Sequence, residues 1–165
     1  MKNAPNGKNI FQLDDGTKEI TLVNTYGKVI AKIHFRPSDI SIMDRYNSLT
    51  KDFEKITEPL RQIDINADGT ADENWATLKS VENTLIQRIN ALLDSDDAGE
   101  IFRVRNAFSS IGGRFFVEHV IDVIGNVITA YLAEEAELTK ARVAPYTDDV
   151  DSEVSADAGP AADNA

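Results

Sequence analysis

The fold is decided by residues 64–93, DINADGTADENWATLKSVENTLIQRINALL, because this stretch joins two amphipathic patterns through one polar link. From Trp75 onward the positions of one face recur in alternating steps of three and four residues, which predicts a helix with a narrow apolar seam. Thr70 and Glu73 fit a capping box, so we predict that this helix begins at Thr70. The seam consists of Trp75, Leu78, Glu82, Leu85, Ile89 and Leu92.

The beginning of the same stretch, residues 64–75, is nearly a calcium-binding EF-hand loop. Oxygen ligands and the turn glycine occupy five of the expected loop positions, as Asp64, Asn66, Asp68, Gly69 and Asp72. The twelfth position, where a working loop has a bidentate glutamate, is Trp75. Asp, Asn and Gly are also ordinary turn formers. We therefore predict a connector, with no metal and no cofactor; a weak calcium-responsive helical module is the alternative.

A second seam precedes this link and has the same period. Its members are Tyr46, Leu49, Phe53, Ile56, Leu60 and Ile63. Ser38 or Asp39 can cap the start of this helix, and Pro59 should kink or restart it because proline lacks the backbone donor. Two helices of equal period with a short connection predict an antiparallel helical hairpin.

The N-terminal part has the patterning of β-strands. Glu19–Val23 and Lys28–Phe35 are rich in strand formers, and the second run alternates cleanly, with Val29, Ala31, Ile33 and Phe35 on one face. The intervening residues 24–27 end in Gly27, which predicts the turn of a β-hairpin. Residues 1–18 are polar and are predicted to be mobile, and the lack of an apolar segment in residues 1–8 argues against a secretory signal.

The C-terminal part is predicted to be helical and then disordered. We expect a short helix over Ile101–Phe108, a break at Ser109–Gly113, and a long helix from about Arg114 to about Arg142 that Pro145 ends. The predicted fold is mainly α: an N-terminal β-hairpin, an antiparallel helical hairpin and a long C-terminal helix (α+β, helix-dominated). The folded domain covers residues 19–143, and residues 144–165 form a disordered acidic tail.

Composition narrows the function classes. The 165 residues are 42% hydrophobic, enough for one core of ordinary size, and include no cysteine. Of the formal net charge of −11, residues 144–165 contribute −6 and residues 1–143 contribute −5, so the chain should repel nucleic acid. The longest apolar stretch, residues 115–132, contains Glu118, His119 and Asp122, which argues against a membrane span.

The sequence offers little catalytic chemistry. Glu118 and Asp122 lie four residues apart on one helical face and have the spacing of an acid–base pair, but a solvated or helix-packing stripe is the favoured interpretation. His34 and His119 have no second histidine at metal-ligand spacing. Gly112 and Gly113 precede a helix, whose N-terminal N–H groups are able to bind an anion. The alternative is that the two glycines only allow the chain to turn. We expect no catalytic residues and no enzyme.

The last helix carries more apolar surface than the predicted elements easily cover. We therefore predict a protein-binding surface there, with ordinary core as the competing interpretation. The candidate residues are Phe115, Phe116, Val120, Val123, Ile124, Val127 and Tyr131.

The order of these parts resembles a known family. A β-hairpin leads through IHFRPSDISIMDRYNSLTKDFEKI (residues 33–56) into the helical hairpin IDINADGTADENWATLKSVENTLIQRINALL (63–93), followed by AGEIFRVRNAFSSIGGRFFVEHVIDVIGNVI (98–128). This layout, over about residues 19–135, is similar to the tail assembly chaperones of long-tailed, siphovirus-type bacteriophages that infect Gram-positive hosts.

The resemblance implies a non-enzymatic protein that binds the phage tape measure protein, keeps it soluble and helps tail tube protein assemble around it. It also implies action in the host cytoplasm and absence from the mature virion. The alternative from a different class is a self-associating structural component of a phage or cellular assembly. A homo-oligomer is compatible with both readings.

Overall fold

The computed structural model describes residues 9–63 and 71–156. Two strands, β1 (Lys18–Val23) and β2 (Val29–Phe35), precede helix α1 (Ile42–Thr57) and a 3₁₀ helix (Glu58–Gln62). Then follow α2 (Ala71–Leu93), α3 (Ala98–Val104), two short strands, β3 (Ser110–Ile111) and β4 (Arg114–Phe115), and α4 (Phe116–Ala156). This order confirms the predicted helix-dominated fold with an N-terminal β-hairpin and a long C-terminal helix.

Strands β1 and β2 form the predicted antiparallel hairpin, with Ile20 opposite Ile33 and Leu22 opposite Ala31. At its turn Gly27 has a φ of +80°, and the Asn24 side chain accepts the backbone N–H groups of Tyr26 and Lys28. Ala31, Ile33 and Phe35 are buried as predicted, but Val29 is 52% exposed. A register shift between Leu22 and Val23 disrupts the ladder beside Val29, at the end of the hairpin away from the core.

Helices α1 and α2 pack together, and Arg88 of α2 bridges to Asp52 of α1 at 2.8 Å. The first helix begins at Ile42, a few residues later than predicted, because the Asp39 carboxylate accepts the Ser41 N–H in a preceding turn. Pro59 lies at the start of the 3₁₀ helix, so the chain restarts there, as one of the two predicted outcomes. The predicted connector residues from Asp64 to the Thr70 cap lie outside the described residues.

The core is formed by one face of α2 with β2, α1, α3 and the first half of α4. The predicted seam of α2 is buried from Leu85 to Leu92, whereas Trp75 at its beginning is 56% exposed. In α1 Leu49 is fully buried, and Tyr46, Phe53 and Ile56 are partly buried against the same core. The two seams therefore meet in their middle parts.

The segment after α3 differs from the prediction. The helix predicted over Ile101–Phe108 lies at Ala98–Val104, because Arg105 is already extended with a φ of −153°. Residues 110–115 then form a small antiparallel hairpin, β3 with β4, that we did not predict. Gly112 and Gly113 form its turn with φ values of +60° and +82°, conformations that glycine adopts without strain.

Helix α4 is longer than predicted. We expected Pro145 to end it and a disordered tail over residues 144–165, but the helix continues through Pro145 to Ala156, and residues 157–165 of the predicted tail lie outside the described residues. Proline keeps a φ that suits a helix and removes only one backbone donor, so a helix can pass through it at an energetic penalty. The first half of α4 contributes Val117, Ile124 and Ile128 to the core, whereas residues 133–147 are exposed along their whole length.

Within residues 9–63 and 71–156, one helix is long and apolar enough to cross a membrane when judged by length and composition alone. This helix is the part of α4 from Phe116 to Thr147. In its most apolar window of 18 residues, 33% is buried inside the protein. The core helix of a soluble protein passes the same test, so this feature is weak evidence for a membrane span.

Candidate protein-binding cleft

An apolar cleft of about 810 Å³ opens where the tip of the β1–β2 hairpin, α3 and the beginning of α4 meet. We call it the cleft. It is lined by Leu22, Val23, Asn24, Thr25, Ile30, Ile101, Val104, Arg105, Asn106, Ser109, Ile111, Phe116, His119, Val120 and Val123.

Each wall of the cleft comes from a different element. Phe116, Val120 and Val123 follow one another at steps of four and three residues and therefore lie on one face of α4. Ile101 and Val104 are three residues apart on α3, and the hairpin contributes side chains beside its register shift. Val104 at 60%, Val23 at 52% and Val123 at 42% are exposed, so apolar groups of three separate segments face one opening.

A buried carboxylate holds the segment that follows the lining residue Asn106. Glu82 of α2 is 4% exposed, and its Oε1 accepts the backbone N–H of Ala107 at 3.1 Å. The carbonyl of Ala107 accepts the N–H of Val117 at 2.9 Å, and Lys79 pairs with the other oxygen of Glu82 at 3.3 Å. Glu82 thereby ties the segment between α3 and β3 to α2 and α4.

The beginning of α4 is fixed by its own charged residues. Glu118 Oε2 accepts the backbone N–H of Phe115 at 2.7 Å, and Arg114 donates to Asp122 at 2.7 Å. The hydrogen bond to Asp122 raises the pKa of the Arg114 guanidinium. The two carboxylates considered as an acid–base pair thus both hold the β4–α4 junction. His119 completes it, with Nε2 at 3.1 Å from the carbonyl of Ile111.

A cluster of charges surrounds His34 in β2, outside the lining of the cleft. The Asp97 carboxylate accepts the backbone N–H of His34 at 2.7 Å and lies 3.0 Å from its Nδ1. Glu19 of β1 lies 3.1 Å from Nε2. The pKa of His34 is raised, mainly by the hydrogen bond to Asp97 and next by the one to Glu19. The pKa of Glu19 is lowered, mainly by its contact with Lys32 and next by its contact with His34. These contacts join the hairpin to the α2–α3 connection.

The structure brings together three of the seven predicted binding residues. Phe116, Val120 and Val123 line the cleft, but Phe116 and Val120 are also buried in the core, as the competing interpretation expected, and only Val123 is exposed. Phe115 lies outside it and packs edge-on against Phe108, with ring centroids 5.5 Å apart. Ile124 is 1% exposed and belongs to the core, where its side chain cannot reach a partner without unfolding. Val127 and Tyr131 are partly buried farther along α4.

The sequence prediction missed the residues that the hairpin and α3 contribute to the cleft. Leu22, Val23, Ile30, Ile101 and Val104 were assigned to strands or to a short helix, without a binding role. One feature of the sequence pointed to these residues: the predicted hairpin has apolar residues near its tip, and an isolated hairpin is stable only when it packs on other elements. Spacing along the chain does not show that segments about 80 residues apart share one opening.

In the described ranges, 9–63 and 71–156, no group of three or more histidine, aspartate or glutamate side chains is placed to hold a metal ion. Most of the calcium-like loop, Asp64 to Gly69, lies outside those ranges. Trp75, its last position, belongs to α2, and the Lys79 ammonium lies 5.9 Å from the centre of its ring. The loop therefore stays a predicted connector.

The fold and the cleft define a helix-dominated α+β domain with an open apolar surface. Comparison with known proteins returned no match to a family model, to a curated protein or to a solved structure.

Proposed function

We propose that this protein is a phage tail assembly chaperone that binds the tape measure protein through the cleft. The observation that carries the proposal is the apolar opening of about 810 Å³ on an acidic domain. The client is inferred from the resemblance of residues 19–135 to this class of chaperone. The binding surface is inferred from the contacts described above.

Exposed apolar side chains that converge on one opening support a protein ligand. Isolated exposed apolar residues are common, but a contiguous patch rimmed by polar groups is typical of interaction sites. Here Val23, Val104 and Val123 surround the opening, and Asn24, Arg105 and Asn106 provide polar groups at the same site. An amphipathic helix of the client would bury its apolar face between them.

The charge of the chain suits the same role. A tape measure protein is a long helical chain that exposes apolar seams before the tail tube forms around it. A chaperone with a net charge of −11 keeps such a complex dispersed by like-charge repulsion. The acidic residues after Val143 supply more than half of that charge.

Co-expression tests the proposal. The tape measure protein encoded with this chain is produced alone, with the wild-type chain, or with a Val123→Asp variant that places a charge in the cleft. A Leu138→Asp variant is the matched control, because Leu138 is exposed on the same helix and does not line the cleft. We expect the wild type and the control to keep the client soluble and the cleft variant to fail. Equal insolubility of the client with and without the wild-type chain would refute the proposal.

Self-association as a structural component is a second candidate function, and one observation favours it. The exposed half of α4 forms a groove that is separate from the cleft. Because the two surfaces share no residue, client binding and self-association are measurable independently.

A further inference from the structure

The charge of the cleft differs in sign from the charge of the whole chain. Aspartate and glutamate account for 28 of the 165 residues, and the formal net charge is −11. Among the residues that the structure describes, none of those that line the cleft is acidic, and Arg105 contributes a positive charge. A local charge of this kind on an acidic protein favours a ligand with an anionic group at that place.

The Arg105 side chain is available to such a group. Arg105 follows directly after α3, where the backbone becomes extended, and it is exposed. Arg103, two residues earlier, pairs with Glu100 at 2.8 Å, whereas Arg105 forms no ion pair within residues 9–63 and 71–156. Its planar guanidinium carries five N–H donors in an arrangement that matches a carboxylate.

Two asparagines of the lining also offer donors. The side-chain oxygen of Asn24 accepts the backbone N–H groups of Tyr26 and Lys28 at 2.9 and 3.0 Å. The side-chain oxygen of Asn106 accepts the backbone N–H of Phe108 at 2.9 Å. Because each oxygen is engaged within its own turn, the amide N–H groups are the parts of both side chains that remain for a ligand.

We infer that the cleft selects an apolar helix that carries a carboxylate beside its apolar face. The apolar walls receive the buried face of the helix, and Arg105 with the two asparagine amides receives the carboxylate. The inference rests on the proposed function for the identity of the client. It adds the side-chain chemistry that the tape measure protein presents at the contact, an aspartate or glutamate next to its apolar seam.

The charge of the whole chain and the charge of the cleft predict opposite preferences. A protein with a net charge of −11 attracts a basic helix and repels an acidic one through its general field. The donors of the cleft favour the acidic helix instead. At an ionic strength of about 0.15 M the general field is screened beyond about 8 Å, so a direct contact dominates. The sign of the preference therefore distinguishes recognition in the cleft from the general field.

Three synthetic helical peptides test this preference. Each has about 18 residues, above the length at which an isolated helix is marginal in water, and the same apolar face of leucines. They differ only beside that face, where one carries glutamate, one glutamine and one lysine. Calorimetry with the full wild-type chain should show binding of the glutamate peptide about threefold to tenfold tighter than the glutamine peptide, with the lysine peptide weakest. Equal affinities, a preference for lysine, or no binding of any peptide would overturn the inference.

Charge reversal at Arg105 tests which residue recognises the carboxylate. Arg105→Glu should reverse the order of affinities, so that the lysine peptide binds best. Arg103→Glu is the matched control, because it changes the net charge by the same amount two residues away and Arg103 does not line the cleft. The control should keep the wild-type order. If Arg105→Glu keeps that order, or if both variants change it equally, the inference fails.

The same chains separate this inference from the proposed function when a soluble tape measure segment replaces the peptides. A wild type that prefers the glutamate peptide but does not bind the tape measure segment would support the assigned cleft chemistry and refute the chaperone function. A tape measure segment that binds the wild type and Arg105→Glu with equal affinity would refute recognition of a carboxylate and leave the chaperone function in place.

Discussion

At the scale of single residues, polar and small side chains fix contacts that apolar spacing does not predict. Glu82 stands inside a seam of leucines and isoleucines because it accepts a backbone N–H in the core. His34 links two strands to the α2–α3 connection. Gly125 lies in the first half of α4, where its missing side chain leaves room for Tyr46 of α1. The pKa of Tyr46 is raised, mainly by burial of its hydroxyl and to a smaller extent by the negative charge of Asp122.

Gly125→Ala should destabilise the fold although alanine is the better helix former. A Cβ at this position would lie 2.6 Å from Cζ of Tyr46 and would also contact its hydroxyl, so the half-buried ring must shift. We expect a loss of about 1–3 kcal/mol in the free energy of unfolding, the usual range for overpacking. Chemical denaturation measures it.

The Tyr46→Leu background supplies the control for this substitution. Without the ring, Gly125→Ala should become neutral or stabilise by up to about 1 kcal/mol, the helix-propensity difference. An unchanged or increased stability of Gly125→Ala in the wild-type background would show that Tyr46 does not require the glycine.

The pKa of His34 should lie above its ordinary value of about 6.5, because Asp97 and Glu19 favour the protonated ring. The stabilisation from this charge is therefore fully present below about pH 6.5 and is lost as the pH rises through the folded-state pKa. Titration of the ring signals by NMR measures the shift. Asp97→Asn should lower the pKa of His34, whereas Asp96→Asn should leave it unchanged. Equal effects of both variants would contradict the assigned contact.

Glu82→Ala should lower the free energy of unfolding by about 1–3 kcal/mol, because the buried N–H of Ala107 loses its acceptor. Glu82→Gln keeps an amide oxygen in place and should lose less. Thermal or chemical denaturation of both variants separates the two effects. If the glutamine variant is as unstable as the alanine variant, the hydrogen bond to Ala107 is not what requires Glu82.

At the scale of elements, the sequence predicted helices and strands well where a long period was present. The alternating face of β2 and the seams of α1 and α2 gave the correct elements, and Pro59 marked a real restart. Short or irregular segments were less predictable. The β3–β4 hairpin depends on a Gly112-Gly113 turn that sequence alone interpreted as a break, and α3 ends early where Arg105 becomes extended.

The extension of α4 through Pro145 is the clearest departure from the prediction. Proline in a helix interior is unfavourable by about 3 kcal/mol relative to alanine, so Pro145→Ala should strengthen the exposed end of α4. We expect slower amide hydrogen exchange over residues 141–156 and more helical circular dichroism. Pro59→Ala is the matched control, because proline is tolerated in the first turn where Pro59 lies. Unchanged exchange in Pro145→Ala would contradict a continuous helix.

At the scale of the whole molecule, the cleft arises from segments that the sequence does not bring together. The helix pattern identified Phe116, Val120, Val123 and Ile124 alike as apolar candidates and did not show that Val123 is 42% exposed whereas the other three are buried. The side of a helix that stays open depends on how the hairpin and α3 pack against it. That packing is fixed by Glu82 and His34, whose contacts span long distances along the chain.

The proposed function requires that the cleft binds the tape measure protein. The most direct test is the affinity of purified wild type, Val123→Asp and Leu138→Asp for a soluble tape measure segment, measured by calorimetry. A charge placed in a desolvated apolar contact should weaken binding by about tenfold or more in Val123→Asp. Leu138→Asp should bind like the wild type. No binding by the wild type, or equal affinities for all three chains, would contradict the claim.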